Sequence, residues 1–368
     1  MKPKVLIFTK RVLPMSNTFV AAQGNNLPTY QPVYVGLRNN TSGISLIKGH
    51  ETCVQENASL FPAFSRLLLD GAQILTPNWR QQLSNVDAKV IHAHFGKGGY
   101  YCSPIAKKLD LPMITTFHGS DITQKGKLSY NQKHRKITYQ NSSKIIAVSK
   151  FIQNKLIERG CPEDKIIQHY IGMDNQYFSP CQDKYSEPTI LFVGRLIEQK
   201  GCQYLLQAMK TVNAILPEAK LIIAGYGNYQ KILTEQASSL KNITFVGAQD
   251  RKQVKDLMSK SWVTCLPSIR MARGNEEGMP TVCMESQAVG TPVVAFDTGG
   301  VSESVIDQVT GLLSPQKDQQ QLADNLLQVL QNTTLRQKMA TAGIERVNKY
   351  FNIRTQCKKL EDIYNSVR

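Results

Sequence analysis

Short apolar, β-branched runs return along the chain with helical segments between them, and this rhythm constrains the fold more than any other feature. In the first half the runs are Lys4 to Thr9, Val33 to Leu37, Lys89 to His94, Pro112 to Phe117 and Lys144 to Val148. In the second half they are Thr189 to Val193, Lys220 to Ala224, Ile243 to Val246, Val263 to Leu266 and Pro292 to Phe296. Strands that are apolar along their whole length are buried on both faces, as in a parallel sheet covered by helices on each side. The pattern predicts an α/β chain with two doubly wound domains, and 368 residues suit two domains better than one core. The segment from Phe178 to Pro188 is polar, flanked by Pro180 and Pro188 and without periodicity, so it reads as an interdomain linker. That divides the chain into residues 1–182 and 183–350, followed by a last segment, 351–368. In that segment Leu360, Ile363, Tyr364 and Val367 fall at helical spacing, giving an amphipathic helix that needs a surface to cover.

Several classes are excluded early. No apolar run approaches the roughly 18 residues of a membrane-spanning helix. The run Val5 to Phe8 is too short for a signal-peptide core and is followed by Lys10 and Arg11. Eight cysteines are scattered without a C-x-x-C pair, which argues for reduced cytosolic thiols rather than a zinc or redox motif. Of the net charge of +16, residues 1–182 carry +12, with 22 Lys and Arg against 10 Asp and Glu. That asymmetry points to an anionic partner for the front half, or to a merely solvated basic surface.

The densest candidate site runs from Leu266 to Glu285. It begins where a strand ends, turns at Gly278 and Pro280, and starts a helix at Thr281, so the backbone N–H groups of this turn can meet an anion. Glu277 at the turn and Glu285 within the helix are suited to gripping vicinal hydroxyls, or else they cap and solvate a helix start. Gly194, Arg195 and Lys200 follow another strand end, where a guanidinium and an ammonium can neutralise one diphosphate or can simply be surface charges. In the front half, His92 and His94 share a strand face, which fits a hydrogen-bonded structural pair better than a metal site lacking a third ligand. His118, before Gly119 at a further strand end, is either an imidazole exposed by a sharp turn or a satisfied core histidine.

Taken in order, these motifs resemble the retaining glycosyltransferases of family 4, with the GT-B architecture of two Rossmann-like domains facing a central cleft. The resemblance covers nearly the whole chain. It is carried by Val193-Gly-Arg-Leu-Ile-Glu-Gln-Lys-Gly201, Glu277-Gly-Met-Pro-Thr-Val-Cys-Met-Glu285, Gly290-Thr-Pro-Val-Val294 and Thr298-Gly-Gly-Val-Ser-Glu303, with His118-Gly-Ser-Asp121 in support. Leu13-Pro-Met-Ser-Asn-Thr-Phe19 and Ile91-His-Ala-His-Phe-Gly96 look most like bacterial enzymes of exopolysaccharide, capsule or lipopolysaccharide synthesis. The first loop departs from the family in lacking a Gly-Gly pair, and Asn17 stands where the subgroup often has Glu.

The resemblance implies transfer of a hexose-type sugar from a nucleoside diphosphate sugar, most commonly a UDP-sugar, to a saccharide or lipid-diphosphate-linked acceptor. Arg195 and Lys200 would neutralise the donor diphosphate beside Gly194, and Glu285 would hold the ribose. Glu277, with the backbone of Gly278, Met279, Pro280 and Thr281, would contact the transferred sugar and phosphate. His118 would reach the donor sugar from the other domain on closure, limiting hydrolysis. The last helix would return to the N-terminal domain, and residues 225–252 would line the base pocket. The scheme requires no metal or other cofactor. It places the protein in the cytoplasm, peripheral at an anionic inner membrane face. A GT-B epimerase or hydrolase, a nucleic-acid-binding protein and a sugar-nucleotide-binding protein without turnover are the rival readings. Nucleic acid is not expected as a partner, since no basic strand interleaved with aromatics and no recognised module accompanies the charge.

Overall fold

All the strand pairing recorded in the computed structural model is parallel, within two separate sheets. It describes residues 2–12, 17–39, 41–47, 49–126, 130–181 and 183–368, with the side chains of 41, 42 and 44 left aside. The chain forms two compact units, Met1–Gly172 with Ile353–Arg368, and Met173–Asn352.

In the first unit, strands β1 (Lys4–Phe8), β2 (Gln31–Gly36), β3 (Thr52–Val54), β4 (Ala88–His94), β5 (Met113–Phe117), β6 (Lys144–Ala147) and β7 (Ile166–Gln168) lie in the order β3-β2-β1-β4-β5-β6-β7. In the second, β8 (Thr189–Val193), β9 (Lys220–Ala224), β10 (Ile243–Gly247), β11 (Val263–Leu266), β12 (Val293–Asp297) and β13 (Gly311–Pro315) lie in the order β10-β9-β8-β11-β12-β13. In each sheet the order reverses beside the first strand, between β1 and β4 and between β8 and β11. Ligands of doubly wound sheets bind at that switch point, beyond the carboxyl ends of the strands. The central strands are buried throughout, as their uniform apolarity requires: Val5, Ile7 and Val90 in the first sheet, and Ile190, Phe192 and Val263 in the second, are 0–1% exposed.

The units divide at residues 172/173 and 352/353 rather than at 182 and 350. Residue 182 itself lies outside the described residues. The segment expected to be an interdomain linker is tied down along the second unit. Phe178 is buried, the Tyr185 amide donates to the Lys260 carbonyl at 2.9 Å, and Trp262 Nε1 donates to the Tyr185 carbonyl at 2.8 Å. Lys184 Nζ donates to Thr291 Oγ1 and the Ser261 carbonyl, and burial pulls its pKa down to about 8. The described residues between Phe178 and Pro188 are therefore anchored to the second unit.

The last helix, Ile353–Asn365, belongs to the first unit. Ile353, Cys357, Leu360 and Tyr364 join the core around Val5, Val90 and Ile114. Glu361, 4% exposed, accepts from the amides of Thr29 and Tyr30, each at 2.8 Å, and from Thr29 Oγ1 at 2.7 Å. A carboxylate taken out of water needs such donors, and the buried Tyr30 amide in turn loses its acceptor if it is removed. Glu361→Ala is therefore expected to destabilise the protein by roughly 2–3 kcal/mol, read as a lower urea midpoint with unchanged slope.

Candidate functional site

The loops that follow β8, β9, β11 and β12 leave the same edge of the second sheet, and backbone contacts draw them together. Gly194 N donates to the Ala224 carbonyl, Leu196 N to Tyr226, Ile269 N to Gln199 and Gly300 N to Glu277, all at 2.8–3.0 Å. Two glycines allow the approach. A Cβ on Gly201 (φ 69°) would meet the Pro267 carbonyl oxygen at 1.7 Å, and one on Gly299 (φ 59°) would meet the Glu277 carbonyl oxygen at 2.2 Å.

Across the switch point, Lys200 Nζ donates to Glu277 Oε1 at 2.7 Å, and Ser268 Oγ donates to the same oxygen at 2.8 Å. Burial alone would raise the Glu277 carboxyl. Lys200, the Ser268 hydroxyl and the nearby charge of Arg195 outweigh it, and the group sits below the ordinary glutamate range. Glu277 is thus an anion holding a cation in place. Arg195 is exposed on the same loop as Lys200.

The turn residues Gly278, Met279 and Pro280 are buried and lead into the helix Thr281–Ala288, whose first turn has no side-chain cap and no acidic residue. Glu285, partly buried on this helix, has the opposite electrostatics from Glu277. Burial pushes its carboxyl up to about 7, and only the more distant Arg251 acts against that. Arg251 lies over the Tyr177 ring, 4.1 Å from its centroid, and 3.8 Å from Asp174. So Arg195, Lys200, Glu277 and the 278–281 turn come together at one sheet edge, with Glu285 one helix turn further in. The parts played by Ser268 and Arg251 were not read from sequence. A lone hydroxyl after a strand and a lone arginine at a helix start carry no signal until the loops are folded together.

In the first unit, His118 is half-buried at its turn. Its ring lies 4.6 Å from that of Phe95 and 4.8 Å from that of Phe19, and its Nε2 makes a 3.1 Å hydrogen bond with His94 Nδ1. Asp121 shapes the turn, accepting from the amides of Gly119, Gly96 and His118. His92 has both ring nitrogens engaged, with Tyr364 Oη and Thr116 Oγ1 at 2.7 Å each, and its ring packs 4.3 Å from that of His94. His92 and His94 pair along the strand, and His118 packs onto them through its bond to His94. Of the stretch from Leu13 to Phe19, residues 13–16 lie outside the described residues. Among the described residues no helix is long and apolar enough to cross a membrane, and no cluster of three His, Cys, Asp or Glu side chains is placed to hold a metal.

Two family models match the chain: "Glycosyl transferases group 1" over residues 179–346 and "Glycosyltransferase Family 4" over residues 45–177. The amylovoran biosynthesis glycosyltransferase AmsK of Erwinia amylovora is 29% identical over 283 residues, spanning 75% of this chain and 70% of the relative. The putative colanic acid biosynthesis glycosyltransferase WcaL of Escherichia coli K12 is 30% identical over 249 residues, 65% of this chain and 61% of the relative. Among solved structures, Anabaena Alr3699/HepE in complex with UDP matches with a TM-score of 0.80 at 17% identity, covering 100% of both chains.

Burial pushes His118 down to about 3 and His94 well below the ordinary imidazole value of about 6.5, with neighbouring histidines adding to both shifts. Protons then bind the unfolded chain before the native one. The stability due to neutral His118 is complete above about pH 6.5 and is lost as pH falls towards 3. His118→Asn should reduce the dependence of unfolding free energy on pH by about 1.4 kcal/mol per unit between about pH 6 and 4, as measured by urea unfolding.

Proposed function

The chain belongs to the family-4 glycosyltransferases of the GT-B fold, and on that premise we propose that it moves a hexose-type sugar, with retention, from a nucleoside diphosphate sugar to a saccharide or lipid-linked acceptor in bacterial surface polysaccharide synthesis. The observation that carries this is the Lys200–Glu277–Ser268 arrangement beside Arg195 at the switch point. A uridine donor is favoured by the UDP in the Anabaena structure, and a polysaccharide product by the amylovoran and colanic acid relatives.

Departure of a nucleoside diphosphate leaves an oxocarbenium-like sugar and a growing negative charge. Arg195, Lys200 and the amides at the start of the Thr281–Ala288 helix are assigned to that charge, so the scheme gives no role to a metal. Glu277 keeps the Lys200 ammonium at the crevice and, with the 278–281 backbone, is assigned to the transferred sugar. Glu285 is assigned to the ribose hydroxyls and His118 to the donor sugar. A diphosphate oxygen takes the acceptor proton as the acceptor attacks the face the leaving group vacates.

A melting-temperature screen with uridine, guanosine and adenosine diphosphates and their sugars tests the donor. One nucleotide family should stabilise the wild type and not Arg195→Ala, and the same variant should lose about a hundredfold or more in kcat/KM. Stabilisation by none of them would remove the donor-site assignment. The ribose assignment has its own signature. With Glu285 titrating near 7 and only its ionised form accepting from both hydroxyls of a diol, one on each oxygen, affinity for UDP-glucose should fall by up to about tenfold per unit below pH 7. Calorimetry should show proton release on binding, and Glu285→Gln should abolish both effects.

A further inference from the structure

At the switch point of the first unit, Lys10, Arg11, Arg38 and Arg66 line a cavity together with the carboxylate of Asp70, which also lies 3.4 Å from Lys97. A second cavity of the same unit, of about 390 Å³, has no such counterweight. One wall is the helix Gln132–Asn141, which leads into β6, and the other is the loop from Arg159 to Lys165, which enters β7 at the amino edge of the sheet, away from the switch-point loops. Gln132, Arg135, Lys136, Tyr139 and Gln140 follow one another at spacings that place them on one helix face, and that face lines the cavity. Arg159 and Lys165 line it from the loop. Glu163 and Asp164 of the same loop do not, and no carboxylate is among the described lining residues. Among the described residues none of these four cations is ion-paired.

A cation beside a helix C-terminus needs no ligand to explain it. That accounts for Lys165, whose Nζ donates to the carbonyls of Tyr139 and Ser142 at 2.8 and 2.9 Å. It does not account for Arg135 and Lys136, which stand in the first half of their helix, before a last turn without basic residues. Two donors here also lack acceptors. Arg135 Nε is buried without a partner, and so is Tyr139 Oη, on a residue 5% exposed. Burial raises the Tyr139 phenol, and the charges of Arg135 and Arg159 both act against that, which puts the hydroxyl among the cations. A buried donor without an acceptor is costly, so the arrangement is completed by an anion with several oxygens. The donors stand on two walls, and a phosphoryl group presents three acceptor oxygens to meet both. The volume lies within the range of small-molecule sites, larger than a bare ion needs.

We propose that this cavity binds a phosphorylated small molecule, its phosphoryl oxygens taken by Arg135, Arg159 and the Tyr139 hydroxyl, with Lys136 and Lys165 adding charge. The site is distinct from the donor crevice of the second unit and does not depend on the glycosyltransferase reading.

Calorimetry on the full chain carrying Arg195→Ala, which removes a donor-site guanidinium, tests it with glucose 6-phosphate and inorganic phosphate as probes and glucose at matched ionic strength as control. The expected result is one-site binding of glucose 6-phosphate with a Kd below about 1 mM and none of glucose. Binding should weaken about tenfold or more in Arg135→Gln/Arg159→Gln and about fivefold in Tyr139→Phe. It should be unchanged in Lys107→Gln/Lys358→Gln, which removes the same charge from exposed positions elsewhere. Because Tyr139 Oη has no protein partner, Tyr139→Phe should leave the ligand-free melting temperature unchanged or higher, whereas a structural hydroxyl would lower it. Binding of neither probe would overturn the proposal, as would binding that Arg135→Gln/Arg159→Gln leaves intact. Capture by phosphatidic acid vesicles, lost in that variant, without binding of the soluble probes would assign the cavity to a lipid headgroup and overturn it as well.

Discussion

A parallel strand must bring the chain back to its starting edge before the next can begin, so every connection that leaves the carboxyl edge of a parallel sheet begins on one side of it. The functional chemistry of both units follows from this constraint. The loops after β8, β9, β11 and β12 have no choice but to be neighbours, and glycines at 201 and 299 let them touch backbone to backbone. The loops after β1, β2 and β4 are gathered in the same way around a cavity. Charges far apart in sequence are thereby concentrated at two places, each at a reversal of strand order.

The two gatherings handle charge differently. In the second unit the residues pair internally: Glu277 anchors Lys200 and is itself kept ionised by it, while Glu285 is left almost uncompensated and is raised to about 7. In the first unit the cations outnumber the carboxylate that could offset them. One site is balanced before any ligand arrives, and the other is not.

Much of this was legible in sequence for a physical reason. Nine of the ten strands read in sequence lie inside their sheets, where double-sided burial forces near-uniform apolarity, and β10, an edge strand, was legible because Ile243, Phe245 and Val246 are apolar nonetheless. β3, β7 and β13 are edge strands too, but they went unread because the first two are only three residues long and the third carries just two apolar residues between Gly311 and Pro315. Arg195, Lys200, Glu277 and Glu285 stood out because each pair is close in sequence beside a strand end or turn. Ser268 and Arg251, and the grouping of Lys10, Arg38 and Arg66, depend on which loops the topology makes adjacent, which no local window contains. The anchoring of the 178–188 segment was not legible because proline and polarity signal only a lack of repeating structure, whereas the anchors include Trp262 and Thr291, far along the chain.

The membership of the helix Ile353–Asn365 in the first unit makes that unit discontinuous. Its core includes Ile353, Leu360 and Tyr364, and Tyr364 supplies one of the two partners of His92. On a ribosome, residues 173–352 are all made before that helix exists. Every residue of the second unit is therefore joined before the helix that completes the first unit's core, whose sheet stays incompletely covered until then. The unit that begins the chain is the last to be completed, and the interval between is when it is most exposed to chaperones and to aggregation.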